Sequence, residues 1–247
     1  MPVSKTHEAL NRPVRPENGL SAAWEGPIGV IAPMASEYAC LGSLPALSPQ
    51  GLLAVCSGMG AARAADAARR LVDGGARLLL SFGLAGGLSG ALKAGDLFLA
   101  SEVCSASGQV LALAPLPAAV GAAAQQGGRL LSSDTAILLP AEKQRLARRW
   151  AAESVDMETF AIAAVAAEAG RSCAAIRVVV DHAGMTVPAA ITGCVDAFGR
   201  PQPGRLAATI VRRPGLLPAL VHLALADYEA RKTLRLTAQR LGEMLSA

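Results

Sequence analysis

Four acids stand where a side chain could do chemistry. Glu37 lies in APMASEY (32–38), Asp156 and Glu158 in VDMETF (155–160), and Asp181 closes AAIRVVVD (174–181). Carboxylates exchange protons and stabilise developing positive charge, so acids gathered at one place suit general acid–base work on a bond that leaves a cation behind. The bland role of Asp156 and Glu158 is local. From Met157 the apolar residues recur at helical spacing and Gly170 supplies a stop, which predicts a core helix over Met157 to Ala169 with both acids in its first turn. There each acid offsets the macrodipole by about 0.3–1 kcal/mol.

The elements that must carry these acids argue for more than capping. Short apolar runs bounded by Gly or Ser predict strands at 28–32, 52–57, 76–83, 96–103, 129–134 and 174–181. Amphipathic stretches predict helices at Ala61 to Val72 and Ala141 to Ala151 as well. Strands that are apolar throughout and alternate with helices indicate a largely parallel sheet covered on both faces: a three-layer α/β/α sandwich with a central mixed, mostly parallel sheet. Ligands of such sheets bind where strands end. Glu37 follows the first strand, SGMG (57–60) the second and LAGGL (84–88) the third. Ser132, Ser133 and Asp134 end a later strand, Asp181 ends the last, and Met157 and Glu158 open the preceding helix. Polar groups at one end of successive strands are poorly explained by capping.

The 247 residues fit one α/β domain over 27–247, preceded by a polar segment, 1–26, with three prolines and no periodicity, expected to be a flexible extension. Aromatics at 3% leave little surface for stacking bases, which counts against a single-strand nucleic-acid binder. The net charge of +4 is modest and leaves an anionic partner open. Cys40, Cys56, Cys104, Cys173 and Cys194 show neither paired spacing nor a neighbouring histidine, so no metal site or disulfide framework is expected. The N-terminus lacks the apolar run of a secretory signal, which predicts a reduced, cytoplasmic protein.

In order, GVIAPMASE, SGMG, FGLAGGLSGALKAGD, SSDTAI, VDMET and IRVVVD resemble the nucleoside phosphorylase superfamily, and within it the methylthioadenosine/S-adenosylhomocysteine nucleosidases. The tail from Asp181 through HAGMTVPAAITGCVDAFGRPQPGRLAATIVRRPGLLPALVHLA resembles the hopanoid-associated phosphorylase branch. The resemblance implies a phosphorylase/hydrolase-like fold and an enzyme that cleaves the N-glycosidic bond of a 5′-substituted adenosine, adenosylhopane in that branch, as a homodimer or higher homo-oligomer. Residue by residue, it implies that Asp181 protonates adenine N7, Glu158 binds the ribose hydroxyls, Met157 packs on the ribose, Glu37 activates water, and the main chain at Ile137 meets the adenine edge. Leu84 stands where the hydrolases carry serine, Ala136 where they carry a stacking aromatic, and Val180 where a serine precedes the aspartate; with Ser133 these complete the expected substrate contacts. No cofactor is implied, but phosphate stays open as a co-substrate. Glu37 would repel it and suits water. Arg63 and Arg177 are the nearby candidates for a phosphate clamp.

Other readings are weaker. LAGGL as a dinucleotide cradle lacks the GxGxxG spacing. SGMG could bind an anion through its amides, although such a turn more often only bends the chain. His182 could relay protons or merely shape its loop. A non-catalytic binding protein would be expected to lack Glu37, Glu158 or Asp181, and a thiol-based redox protein would need an exposed cysteine. In the tail, Leu216, Leu217, Leu220, Val221, Leu223 and Leu225 cover nearly every face of a helix starting near Pro214, with Arg231, Lys232, Arg235 and Arg240 beyond. That helix is expected to pack on the sheet or a subunit, or else to lie peripherally on the anionic inner surface of a membrane beside a lipid-linked nucleoside.

Overall fold

A computed structural model describes residues 24–42, 44, 51–121 and 124–246. The chain runs through β1 (Ile28–Ala32), α1 (Ala35–Tyr38), β2 (Leu52–Cys56), α2 (Ala61–Asp73) and β3 (Leu78–Gly87). Next come β4 (Leu97–Leu99), β5 (Glu102–Ser105), β6 (Val110–Ala112), α3 (Ala118–Gly121), β7 (Gln125–Gln126) and β8 (Arg129–Ser132). Then follow α4 (Pro140–Trp150), β9 (Ser154–Asp156), α5 (Thr159–Glu168), β10 (Ser172–Asp181), α6 (Ala189–Thr192), α7 (Pro203–Arg212) and α8 (Leu217–Ser246).

The strands form one mixed, mostly parallel sheet. β3 is its hub, parallel to β1 along its first part and to β10 as far as Gly86, and antiparallel to β9 at Gly86 and Gly87. β2 extends the sheet beyond β1, and the path β9–β8–β5–β6 forms the other wing. Side-chain alternation sorts the core into two layers. Leu78, Leu80 and Phe82 of β3 and Ala174, Ile176 and Val178 of β10 face Trp24 and the second half of α8, where Leu234, Ala238 and Leu241 are buried. Leu79 of β3 and Cys173, Ala175 and Val179 of β10 face α2 and α5. Those two helices meet through Ala64, Ala67, Ala68, Ile162 and Ala163. Because α5 is apolar all round, it must be enclosed on more than one side, and alanines let the backbones approach.

The three-layer arrangement agrees with the expectation; several boundaries do not. The run 96–103 splits into β4 and β5, which pair with β10 and β8 respectively. LAGGL is not a loop after β3 but its continuation, held by β10 and β9. The helix starts at Thr159, with Asp156 ending β9 and Glu158 at the N-cap, so neither acid lies within the first turn. The polar segment 1–26 is largely outside the described residues. Its end belongs to the domain, since Trp24 is fully buried and its Nε1 donates to the Pro115 carbonyl (2.9 Å). The tail forms two helices. In α8 no residue before Ala230 is buried, so the apolar turns at 216–225 are not packed into the sheet.

Candidate active site

Glu37, Glu158 and Asp181 converge on one cavity of about 310 Å³ at the C-terminal ends of β1, β3 and β10, which Asp156 lines too. Its lining also includes Leu84, Ala136, Ile137, Met157 and Val180, whereas Ser133, Arg63 and Arg177 lie outside it. Most of the remaining lining is apolar, including Met34, Met59, Val155, Val187, Ile191 and Val195.

Glu37 reaches the cavity from the short helix α1. It is 2% exposed, and its two oxygens accept from the backbone N–H groups of Met34 and Leu84, each at 2.7 Å. Burial pushes its carboxyl from 4.5 up to about 7, against the pull of the Arg177 guanidinium and the two amides. Gly83 makes room for this arrangement, because a Cβ there would lie 2.5 Å from Glu37 Oε1 and 2.7 Å from Arg177 Nη1. Glu158 is 6% exposed and its Oε1 accepts from Gly60 N–H at 2.8 Å. Gly60 has φ +101°, a conformation glycine adopts without strain, so the SGMG turn does hold an anion and that anion is the protein's own carboxylate. Burial raises the Glu158 carboxyl, and the neighbouring Asp156 charge raises it further.

Asp181 ends β10 beyond a register shift between Val179 and Asp181. A bulge of this kind re-aims a side chain, and it carries Asp181 to the cavity although its parity matches the α5-facing residues. Its partner is Lys143 of α4, a residue the sequence reading did not single out. Lys143 is fully buried and its Nζ bonds Asp181 Oδ2, while donating to the carbonyls of His182 (2.9 Å), Asp181 and Met185 (both 3.3 Å). Burial raises the Asp181 carboxyl, and the Lys143 ammonium draws it back. Lys143 also ties the loop 182–185 to α4. The signal for it was present, since Lys143 shares a helical face with the buried Leu146, where a charge needs a buried partner.

Asp156 and Val180 also line the cavity, and the remaining sequence candidates fall elsewhere. Arg177 is fully buried on the α5-facing side of β10. Its Nε and Nη2 bond Asp156 Oδ2 at 2.9 and 2.7 Å, and Nη2 also donates to Ser81 (2.6 Å) and Thr159 (2.8 Å). Nη1 has no hydrogen-bond partner among the described residues, and the guanidinium lies behind Glu37 and outside the cavity lining. Arg63 is exposed in the first turn of α2 and donates to the Met59 carbonyl. Neither arginine is offered to a phosphate in the cavity. Ser133 lines a neighbouring, more polar cavity with Ser132, Asp134 and Phe160. Asp156 is a structural anchor that accepts from Ser132 Oγ, Thr159 N and Arg177. His182 accepts from Gly184 N–H at its Nδ1, which shapes its loop. The Ile137 main chain makes no backbone hydrogen bond to another described residue.

The cysteines are free, and burial pushes the Cys173 thiol up to about 12, which suits core packing and not thiolate chemistry. No helix among the described residues is long and apolar enough to cross a membrane.

Solved structures share the fold. The 5′-methylthioadenosine/S-adenosylhomocysteine nucleosidase of Helicobacter pylori superposes with TM-score 0.66 at 17% identity over 90% of this chain and 98% of that one. The corresponding nucleosidase of Neisseria meningitidis gives 0.66 at 19% identity, over 89% and 98%. The futalosine hydrolase of Helicobacter pylori gives 0.66 at 16% identity, over 89% and 97%. No curated protein matches the chain in sequence. The family model of the Phosphorylase superfamily matches residues 31–199, and the chain belongs to that family.

Proposed function

We propose that the protein hydrolyses the N-glycosidic bond of a 5′-substituted adenosine, adenosylhopane, and releases adenine. The observation that carries the reading is the convergence of Glu37, Glu158 and Asp181, all buried, on one cavity with three different sets of partners. The fold shared with nucleosidases that act on 5′-methylthioadenosine and S-adenosylhomocysteine supports the glycosidic chemistry. The resemblance of the tail to the hopanoid-associated branch supports the lipid substituent, and the apolar lining suits a large apolar group.

Bond breaking leaves an anionic base and a cationic sugar, and each acid has a place in that charge flow. Asp181 donates a proton to adenine N7 as the C–N bond lengthens, and Lys143 fixes the carboxyl and balances the charge left on it. Glu158, held from behind by Gly60, accepts from the ribose hydroxyls and stabilises the sugar cation, with Met157 against the ring. Glu37, ionised above about pH 7, takes a proton from the attacking water. The main-chain groups of Ile137 meet the adenine edge. Water is favoured over phosphate because an anion entering beside Glu37 meets a carboxylate, and the two candidate clamp arginines lie outside the cavity.

The test is incubation with adenosylhopane and with methylthioadenosine, each with and without phosphate, with the sugar product identified by mass. Free ribose-type product without phosphate supports the proposal. A ribose 1-phosphate that forms only with phosphate overturns the hydrolytic step. A higher kcat/KM for methylthioadenosine than for adenosylhopane overturns the lipid substituent.

A further inference from the structure

The helical hairpin of α7 and the first half of α8, joined by the turn Pro214–Leu216, stands out from the domain with its apolar side uncovered. In α8, Leu217, Val221, Leu225 and Tyr228 follow one another at spacings of four, four and three, so they form a single stripe along the helix. They are 47%, 54%, 60% and 57% exposed, and Val211 at the end of α7 is 81% exposed. Apolar side chains presented in a row are not the normal scatter of a soluble surface and mark a contact. Between Asp196 and Asp227 the chain holds four arginines, Arg200, Arg205, Arg212 and Arg213, and no acidic residue. Arg205, Arg212 and Arg213 are exposed and form no ion pair among the described residues.

We propose that this hairpin is a docking surface for an anionic membrane, lying in the plane of the headgroups with the stripe and Val211 in the acyl boundary and the arginines on lipid phosphates. An apolar stripe flanked by cations is the pattern of an interfacial helix, and Arg stems can lie along the apolar layer while their heads stay at the headgroups. Tyr228 closes the stripe with a side chain suited to a boundary between apolar and wet surroundings. Charge complementarity favours the membrane. The four arginines between Asp196 and Asp227 meet no acid in that stretch, so the surface around the turn Pro214–Leu216 is purely cationic and matches a layer of lipid phosphates, while Asp227 and Glu229 at the far end of the stripe are paired with Arg231 and Lys232. The surface also adjoins the site. α7 touches the segment after α6 through Thr209 Oγ1 and Cys194 Sγ (3.5 Å), and Ile191, Thr192 and Val195 of that region line the cavity. A hairpin seated on a membrane therefore brings one wall of the cavity close to the lipid. The inference rests on the exposed stripe and its arginines, whichever nucleoside is cleaved.

The experiment is co-sedimentation of the full chain with phosphatidylglycerol vesicles and with phosphatidylcholine vesicles, at low and high salt. Wild type, Val221→Ser/Leu225→Ser and Arg212→Glu/Arg213→Glu are compared, with thermal melting as the check on folding. Because all four positions are exposed, the variants are expected to melt as wild type does. The expected result is binding to phosphatidylglycerol alone, weakened by salt and reduced roughly tenfold or more in each variant. Failure to bind at low salt, or binding that neither folded variant reduces, overturns the proposal. A wild type that elutes as a dimer and a serine variant that elutes as a monomer would also overturn it, by assigning the stripe to contact between copies.

Discussion

The pH dependence of Glu37 tests the site most directly. Its carboxyl is raised from 4.5 to about 7, which at about 1.4 kcal/mol per unit is worth about 3 kcal/mol. Between those two values the folded protein keeps a proton that the unfolded chain has released, so stability falls as pH rises and the full loss is in place above about 7. Glu37→Gln is neutral throughout and removes this slope. The two proteins should therefore diverge by about 3 kcal/mol between about pH 4.5 and pH 8 in urea unfolding, with wild type losing more. The difference in slope is the readout, because the variant also alters the bonds to Met34 and Leu84 and so shifts the absolute level. Asp181, raised as well, acts alike in both proteins and cancels, whereas the Glu158 charge, which raises Glu37, makes part of the measured slope a property of that pair. The same ionisation sets the rate. If Glu37 must be charged to activate water, kcat/KM for adenine release rises to a plateau with a midpoint near 7, where an ordinary glutamate would reach it near 4.5. A wild-type rate that is flat from about pH 5 to 8, or parallel stability curves for wild type and Glu37→Gln, would refute the reasoning.

Asp181→Asn should lower adenine release by about 10² to 10⁴ in kcat, since Asn has no proton to give; near-wild-type turnover would sink its role. Lys143→Met leaves Asp181 buried without its cation, at a cost of about 3–5 kcal/mol, and moves the high-pH fall of kcat/KM to higher pH because the carboxyl then holds its proton longer. The double variant Asp181→Asn/Lys143→Met should recover much of that stability, and strictly additive losses in the cycle would show that the pair is not coupled. Gly83→Ala sets a methyl against Glu37 and Arg177 and should cost about 1–3 kcal/mol together with most of the activity, so unchanged melting and rate would contradict the close approach.

What the sequence made legible follows from where periodicity reports and where it does not. Glu37, Glu158 and Asp181 each lie beside a long apolar run, and strands of one parallel sheet must end on the same side, so their convergence could be argued without coordinates. Placing Arg177 needs a parity argument. With Ala175 and Val179 facing α5, the residue between them faces α5 too, and a buried guanidinium there needs the Asp156 carboxylate. Asp181 has the same parity and escapes it only through a bulge, which no hydrophobic pattern announces. β9 is three residues long with polar ends, too short for alternation to register, and its absence from the sequence reading pushed Asp156 into the helix. The extent of β3 was missed for a related reason. LAGGL looks like a turn, yet Gly86 and Gly87 are paired in the sheet, and they suit it as glycines because a Cβ there would lie 3.2 Å from the Val155 and Val179 side chains respectively.

On the proposed mechanism, the partners of the three acids suit each to a distinct task. Taking a carboxylate out of water is costly, and all three pay it, so what separates them is the group supplied in return. Glu37 receives two backbone N–H donors, which hold both oxygens in place without supplying a proton, as a base requires. Glu158 receives one amide and faces a second carboxylate, Asp156, so its proton affinity responds to charge in the cavity, and a cationic sugar would favour its ionised form. Of the three, Asp181 alone forms an ion pair among the described residues. Nζ holds Oδ2, and the carboxyl lines the cavity. An ammonium balances the charge that appears on Asp181 when its proton leaves, so the pair lowers the cost of donation at the moment the base departs. On the proposed mechanism acid and base are thus separated by what stands behind each carboxylate, and the residue that makes the separation, Lys143, is the one buried charge of α4, on the face it shares with Leu146.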